Sequence, residues 1–150
     1  MIDETDRKIL RLLQHDATIS LESIAEKLSV SVNTCWRRVK QLEERGVIQK
    51  RVVIVDPEAI NLGQTVIVSI RTNTHSSEWL ERFTNIVNEI PEVIEFYRMA
   101  GDVDYILKIV VSTVADYDRV YKKLIADIEI SDVSATFAME CLKRTTELPL

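Results

Sequence analysis

The chain has 150 residues and a formal net charge of −5, with 46% hydrophobic and 29% charged residues. This balance is typical of a globular protein with one medium or two small domains. No apolar run approaches the roughly 20 residues of a membrane span, and the opening MIDETDRKIL lacks the order of a secretory signal. We therefore expect a cytoplasmic protein with no membrane partner.

The charge is divided unevenly along the chain. Residues 1–51 carry ten Lys/Arg against eight Asp/Glu, whereas residues 52–150 carry nine against sixteen. The basic part can approach phosphates and the acidic part should avoid them. The two cysteines, Cys35 and Cys141, are far apart and lack the spacing of metal ligands. We expect neither a metal site nor a cofactor.

Three helical patterns occupy residues 1–51. Asp3 can cap a first helix that runs to His15, and Ser20 precedes a second helix with apolar residues at i, i+3, i+4 and i+7. A third helix, Ser31–Arg45, ends at Gly46. Because only Ser29 and Val30 separate the second helix from the third, the two must cross steeply. This arrangement predicts a helix-turn-helix.

The third helix has an apolar stripe and a polar, basic face. The predicted stripe consists of Val32, Cys35, Trp36, Val39 and Leu42. Residues 31–51 hold six basic residues against two acidic ones, a local charge of +4. Short polar side chains suit base edges and long cations suit phosphates. The predicted DNA-binding residues are Ser31, Asn33, Thr34, Arg37, Arg38, Lys40, Lys50 and Arg51. A solvated amphipathic helix is the alternative interpretation.

We expect Asn33 and Thr34 to meet base edges together with Arg37, and Arg38, Lys40, Lys50 and Arg51 to bind phosphates. The β-branched residues of 47–55 predict a strand or short wing that brings the last two beside the DNA backbone. Asp56-Pro57 ends this strand. Residues 52–64 are thus predicted to be a strand and linker between two domains.

Residues 65–150 alternate between strand and helix patterns. Strands are predicted at 65–71, 93–99, 103–111 and 133–140, with helices after Ser76 or Ser77 and after Thr113. The order β-α-β-β-α-β predicts a ferredoxin-like domain, and the whole chain an α+β protein. We expect both helices on one face of the sheet. The other face, carrying Ile94, Phe96, Leu107 and Ile109 or their alternates, then requires a partner. A dimer is predicted, sheet on sheet or edge on edge.

Several short motifs in this order resemble the Lrp/AsnC family of transcriptional regulators, over essentially the whole chain. They are Asp3-Glu4-Thr5-Asp6-Arg7-Lys8-Ile9-Leu10, Ser31 with Cys35-Trp36-Arg37-Arg38-Val39, Leu42-Glu43-Glu44-Arg45-Gly46-Val47-Ile48, Asp56-Pro57, Leu62-Gly63, Pro91-Glu92-Val93, Gly101-Asp102-Val103-Asp104-Tyr105 and the final TTELPL. The resemblance implies a winged helix-turn-helix domain (1–51) and a RAM domain (65–150) that binds an effector and oligomerises. It also implies double-stranded DNA with a pseudo-palindromic site as a partner, and homodimers that assemble into octamers or larger rings.

The resemblance further implies an amino-acid effector bound between subunits near the Gly-Asp-x-Asp turn. The implied effector residues are Met99, Ala100, Gly101, Asp102, Asp104, Tyr105 and Thr136. Asp102 or Asp104 could accept from the ammonium group, and backbone N–H groups at the glycine turn could bind the carboxylate. A plain hairpin turn is the alternative. Segments 74–79 and 96–101 resemble a branch linked to sulfur amino acids, which favours cysteine.

Two other functions fit the same architecture. Some haem-biosynthetic decarboxylases resemble it, but they would need histidines and arginines lining a large pocket. This chain has only His15 and His75, and no nucleophile-base set is visible. The second alternative is an effector-binding protein that only co-assembles with a DNA-binding relative. The +4 stretch opposes this alternative.

Overall fold

The computed structural model describes residues 2–150, so the start of the predicted 1–51 domain lies outside the described residues. The chain divides into two compact units. One runs up to Ile54 and also contains Leu142–Leu150, and the other is Val55–Cys141. The sequence assigned the final residues to the second domain, whereas the structure groups them with the helical unit, where Leu150 packs against the helical core.

Three helices make up most of the first unit: α1 (Glu4–His15), α2 (Leu21–Leu28) and α3 (Val32–Glu44). Each begins after a predicted cap, since the side chains of Asp3, Ser20 and Ser31 accept a backbone N–H from the first turn. Their facing stripes form one buried cluster, made of Ile9, Leu10, Ile24, Ala25, Cys35, Val39 and Leu42.

The turn between α2 and α3 is as short as predicted. Ser29 adopts a left-handed conformation with φ 54° and ψ 44°, which ends α2 and reverses the chain before Ser31 caps α3. Gly46, with φ 70°, ends α3, and its N–H donates to the Glu43 carbonyl at 2.9 Å. The helix-turn-helix prediction is confirmed.

The segment after α3 differs from expectation. Residues 47–55, all of which the structure describes, form no strand, so the strand predicted there was wrong. Val52, Val53, Ile54 and Val55 are between 56% and 87% exposed. A strand needs a neighbouring strand to satisfy its backbone groups, and β-branched composition alone does not supply one.

The second unit is a four-stranded antiparallel sheet with two helices. Its elements are β1 (Gln64–Arg71), α4 (Ser77–Asn88), β2 (Val93–Arg98), β3 (Tyr105–Val111), α5 (Val114–Ile125) and β4 (Asp132–Phe137). The strand order is β2-β3-β1-β4. The predicted ferredoxin-like order is confirmed, although β3 begins at Tyr105 rather than Val103.

One face of the sheet packs against α4 and α5. Alternate residues of β1 and β3 point to this side, and they surround Phe83 of α4 and Leu124 of α5. Trp79 adds a ring 5.0 Å from Phe83, and its indole N–H donates to the Glu129 carbonyl at 2.9 Å. The aromatic cluster fixes α4 on the sheet.

The opposite face of the second unit's sheet carries the alternates of three predicted residues, since Phe96, Leu107 and Ile109 pack under the helices. The fourth, Ile94, is 50% exposed at an irregularity in the pairing of β2. Leu107 lies under the helices, whereas its neighbour Lys108 lies on the open side, between Glu95 and Ile67 of the adjoining strands. Ile67, Ile106 and Val110 are its apolar, half-buried members. Within residues 2–150, no helix combines the length and apolar character that crossing a bilayer requires.

Candidate nucleic-acid interface and effector turn

The outer face of α3 presents polar and basic side chains. Cys35, Val39 and Leu42 point into the core of the first unit. The 3.6-residue period then turns Asn33, Arg37 and Lys40 outward, where they are exposed. Burial raises the pKa of the Cys35 thiol above its ordinary 9.0, so the thiol stays neutral. Cys35 is a core side chain, as its stripe position predicted.

Ser31 and Thr34 are joined at the start of α3. The Ser31 hydroxyl accepts from the Thr34 N–H at 3.1 Å and lies 2.8 Å from the Thr34 hydroxyl. Ser31 is therefore the helix cap, and Thr34 is half-buried beside it. This pair fixes the start of α3, where Asn33 is more exposed than Thr34.

Lys40 and Arg51 contact only side chains that are themselves exposed to solvent. The Lys40 Nζ lies 3.8 Å from a Glu44 carboxylate oxygen and 5.2 Å from the centre of the Trp36 ring. Arg51 lies 3.3 Å from Glu43. Exposed ion pairs are worth at most about 1 kcal/mol, so a phosphate can replace the carboxylates. Lys50 is also exposed.

Trp36 lies outside the core, contrary to the prediction. Its side chain is 51% exposed, because one residue of helix turns it by about 100° from the centre of the buried stripe at Cys35. There it borders a cleft of about 430 Å³, which is also lined by Leu13, Ile19, Leu21, Val39, Lys40, Glu43 and Arg51. The buried stripe of α3 is thus narrower than its apolar composition indicated.

Arg38 faces α1 rather than the outer surface of the unit. Its Nη1 donates to Asp3 Oδ2 at 2.7 Å and to Asp6 Oδ1 at 2.8 Å. The side chain is only 26% exposed. The expectation that Arg38 binds phosphate is therefore opposed by two carboxylates, which already accept from its Nη1. The sequence contained no local signal for this contact, since Asp3 and Asp6 lie more than a helix away.

The predicted effector turn connects β2 to β3. Gly101 has φ 150°, a conformation that L side chains rarely adopt. The Met99 N–H donates to the Asp104 carbonyl at 2.8 Å, and the Asp104 N–H donates to the Ile70 carbonyl at 3.0 Å. These bonds hold the turn against the end of β1. Met99 and Ala100 are exposed on it.

The two aspartates of the turn have different surroundings. Asp104 Oδ2 accepts from the Thr72 N–H at 2.8 Å, and Asp104 Oδ1 lies 3.8 Å from His75 Nδ1. The backbone carbonyl of Asp102 accepts from Arg71 at 2.8 Å, while its side chain is exposed. Asp104 thus fastens the turn, which leaves the Asp102 carboxylate as the one that projects outward.

Two further effector candidates lie away from the tip of the turn. Tyr105 is 3% exposed, and its ring stacks on Trp79 at 5.5 Å inside the second unit's core. Thr136 is exposed on β4, opposite Ile67 on the open face of the sheet. The structure therefore brings Met99 to Asp104 together, but it places Tyr105 in the core. Arg71, Thr72 and His75 also touch the turn. Of these, only His75 lies in a segment that the sequence analysis had singled out.

An exposed, basic helix-turn-helix joined to a ferredoxin-like domain defines a class of two-domain DNA-binding regulators. The winged helix-turn-helix DNA-binding domain matches residues 2–49, and the Lrp/AsnC ligand binding domain matches residues 65–148. Together these two matches span most of the chain.

Curated relatives match over the full length. The glutamate uptake regulatory protein of Zymomonas mobilis is 55% identical over 99% of this chain and 91% of the relative. The DNA-binding transcriptional activator DecR of Escherichia coli K12 is 46% identical over 100% of this chain and 99% of the relative.

Solved structures match equally completely. An AsnC family regulator from Agrobacterium tumefaciens superposes with a TM-score of 0.94 at 56% identity, covering 98% of this chain and 96% of the other. A Neisseria meningitidis regulator in complex with L-Met gives 0.91 at 27% identity, covering 99% and 97%. The chain belongs to the Lrp/AsnC family of DNA-binding transcriptional regulators. It is not an enzyme, so the decarboxylase alternative is excluded.

Proposed function

We propose that this regulator reads a specific DNA sequence through the outer face of α3 and changes its binding in response to an amino acid. The observation that carries the first part is the exposure of Asn33, Arg37 and Lys40 on a helix whose opposite face is fully buried. A helix that follows a tight turn and projects polar groups can enter the major groove.

The roles divide by side-chain length and position. Asn33 and Arg37 bind base edges, for which amide and guanidinium groups provide paired hydrogen bonds. Thr34 and Ser31 contribute at the helix start, where backbone N–H groups favour a phosphate. Lys40 and Arg51 bind phosphates, since their present carboxylate partners are exposed and replaceable. Lys50, which is also exposed, binds a phosphate beside them.

A homodimer formed through the open face of the second unit's sheet supplies two recognition helices. Its half-buried apolar residues, such as Ile67 and Ile106, support burial against a second copy. Two-fold symmetry then requires a pseudo-palindromic site with half-sites roughly 10 bp apart or a multiple of this. Assembly of the dimers into an octamer or larger ring is part of the same proposal. Such a regulator meets its DNA in the cytoplasm.

The effector in this proposal is a small α-amino acid at the turn from Met99 to Asp104, near a subunit interface. The exposed Asp102 carboxylate accepts from its ammonium group, and N–H groups beside Gly101 bind its carboxylate. The L-Met complex of the Neisseria regulator supports an amino acid as the ligand class. Cysteine remains our first candidate, with methionine and glutamate tested beside it.

The test is a mobility shift of DNA from upstream of the protein's own gene, at two salt concentrations and with amino acids in pools. We expect a salt-sensitive shift that one pool changes. Arg37→Ala should lower the affinity for this DNA while leaving affinity for scrambled DNA within a few-fold, and the exposed Arg82 of α4 provides a matched charge-removal control.

The outcomes separate the parts of the proposal. A shift that no pool alters, together with unchanged sedimentation, contradicts the effector role of the turn. Sedimentation as a monomer contradicts the dimer. Absence of any shift at low salt, alone or with a homologous subunit, contradicts DNA reading by α3, whereas a shift obtained only with the homologous subunit favours the co-assembly alternative.

A further inference from the structure

Arg38 joins Asp3 and Asp6 in a charged network at the start of α1, through its Nη1. Asp3 and Asp6 already form a capping box, in which Asp3 Oδ1 accepts from the Asp6 N–H at 2.8 Å and Asp6 Oδ2 accepts from the Asp3 N–H at 3.2 Å. Each carboxylate thus uses one oxygen for the backbone and the other for Arg38. Both hydrogen bonds to the guanidinium are charge-assisted and short.

Two members of the network are more shielded from solvent than the other cations near α3, whereas Asp3 is 53% exposed. Asp6 is buried, with 10% of its side chain exposed, and Arg38 is 26% exposed, whereas Arg51 is 51% exposed. The adjacent carboxylate of Asp3 raises the pKa of Arg38, and the Asp6 N–H and Arg38 lower the pKa of Asp3. The charged forms of this pair therefore stabilise one another.

A phosphate cannot take over Arg38 as it can take over Lys40. Two carboxylates lie within 3 Å of the same Nη1, and they would repel an approaching anion. Arg37, one residue earlier, is turned by about 100° and faces outward, so it has no such competitor.

We infer that Arg38 is a positioning residue, which fixes the orientation of α3 against the start of α1 so that Asn33 and Arg37 meet the bases in register. This inference rests on the proposed reading of DNA by α3. Its consequence is that Asp3 and Asp6, although negatively charged, favour specific binding.

Neutral variants of each side of the network provide a sharp test. Arg38→Gln and Asp6→Asn are compared with Glu26→Gln, which removes an exposed carboxylate from α2 of the same unit. The full-length protein is assayed for affinity to its upstream site and to scrambled DNA across a salt series, at a temperature where circular dichroism shows that each variant is folded.

We expect both network variants to lower the ratio of specific to non-specific affinity by about tenfold, the effect of one misaligned base contact. Arg38→Gln should leave the salt slope unchanged, because no phosphate contact is lost. Asp6→Asn should bind its specific site more weakly although it removes a negative charge, whereas Glu26→Gln should bind all DNA equally or more tightly. Arg38→Lys should retain part of the ratio of specific to non-specific affinity that Arg38→Gln loses.

The opposite results would show that Arg38 contacts a DNA phosphate. A salt slope reduced by about one in Arg38→Gln, with tighter specific binding by Asp6→Asn, overturns the inference. Unchanged ratios in both variants also overturn it. Should Arg38→Gln fail to fold, Asp6→Asn and Arg38→Lys decide by the same ratio. If the wild-type protein itself shows no sequence preference, the proposed function fails and the inference fails with it.

Discussion

Gln14 binds the backbone of Leu148 through both atoms of its amide, although 134 residues separate the two in the chain. Gln14 Oε1 accepts from the Leu148 N–H at 2.8 Å, and Nε2 donates to the Leu148 carbonyl at 3.2 Å. Arg11 Nε donates to the Leu150 carbonyl at 2.7 Å. The final segment of the chain is therefore a structural part of the helical unit.

We predict that loss of this contact destabilises the helix-turn-helix. Gln14→Ala should lower the free energy of unfolding by about 1 kcal/mol, the usual contribution of a hydrogen-bonded side chain, and deletion of residues 146–150 should lower it further by exposing the core around Leu150. Urea unfolding measures both, with Lys8→Ala on the exposed side of α1 as the control. A truncated protein as stable as the full chain would contradict this role of the tail.

Gly46 is predicted to resist substitution. Its φ of 70° is costly for any residue with a Cβ, so Gly46→Ala should destabilise the protein by about 1 kcal/mol even though no atom beyond its chain neighbours lies within 4 Å of the added methyl. Gly63→Ala is the matched control, since its backbone lies outside the left-handed region and its Cβ would make ordinary contact with Glu58. Thermal unfolding should separate the two. Equal melting temperatures would count against the strain argument.

Phe83→Ala should strongly lower the free energy of unfolding. The ring is fully buried between Trp79, Phe96 and Tyr105, and a cavity of this size costs about 3–5 kcal/mol. Val114→Ala, at a side chain that is 64% exposed, should change stability by less than about 0.5 kcal/mol. Denaturant titration followed by near-ultraviolet circular dichroism reports the loss of aromatic packing. A mild effect of Phe83→Ala would show that α4 does not depend on this cluster.

The stability of the sheet should depend on pH through Glu95. Lys108 donates to Glu95 Oε1 at 2.8 Å and Tyr97 to Oε2 at 2.7 Å, and these bonds lower the pKa of Glu95 below its ordinary 4.5. Because the folded state then binds fewer protons than the unfolded state, this stabilisation is present above about pH 4.5 and lost as the pH falls through the folded value. The carboxylate is 37% exposed, so the effect is below about 1 kcal/mol.

Replacing the donor tests this dependence. Lys108→Met should flatten the loss of stability between about pH 6 and pH 3, whereas Lys123→Met on the exposed side of α5 should leave it unchanged. The Glu95 contact also raises the pKa of Tyr97 above its ordinary 10.0. The contribution of Tyr97 is therefore present below that pH and lost as the pH rises through the folded value. Parallel pH profiles for wild type and Lys108→Met would contradict the assignment.

The two aspartates of the effector turn should respond differently to neutralisation. Asp102→Asn should abolish the response to the amino acid without changing stability, since its carboxylate projects outward. Asp104→Asn should lower the stability of the turn by about 1–3 kcal/mol, because it weakens acceptance from the Thr72 N–H. Calorimetric titration and thermal unfolding provide the two measurements. Retained effector binding in folded Asp102→Asn would assign the ammonium site elsewhere.

Local patterns predicted most of the architecture because they are local in origin. Caps such as Ser31 and Ser76 accept from N–H groups within the same turn, so the helix starts could be located from neighbouring residues alone. The alternation in β3 likewise divided its residues into two faces, but it did not say which face the helices cover. The structure placed Leu107 under the helices and Lys108 on the open side.

The sequence predicted which residues form the candidate site, but the role of each residue could be assigned only from the fold. Arg37 and Arg38 look equivalent in the sequence, yet only the approach of α1 to α3 gives Arg38 two carboxylate partners. Asp102 and Asp104 were likewise interchangeable until the end of β1 brought the Thr72 N–H to Asp104. The strand expected over 47–55 failed for the same reason, since pairing depends on a partner that local composition does not reveal.

By itself the sequence determined the helix-turn-helix, the β-α-β-β-α-β order and the family, because short-range periodicity, caps and ordered motifs encode them. Only the tertiary structure decided that Trp36 is exposed, that Tyr105 is buried, and that the final residues pack on α1. Each of these depends on which distant segments come into contact. Burial of a side chain depends on neighbours from other parts of the chain, and a short stretch of sequence does not contain them.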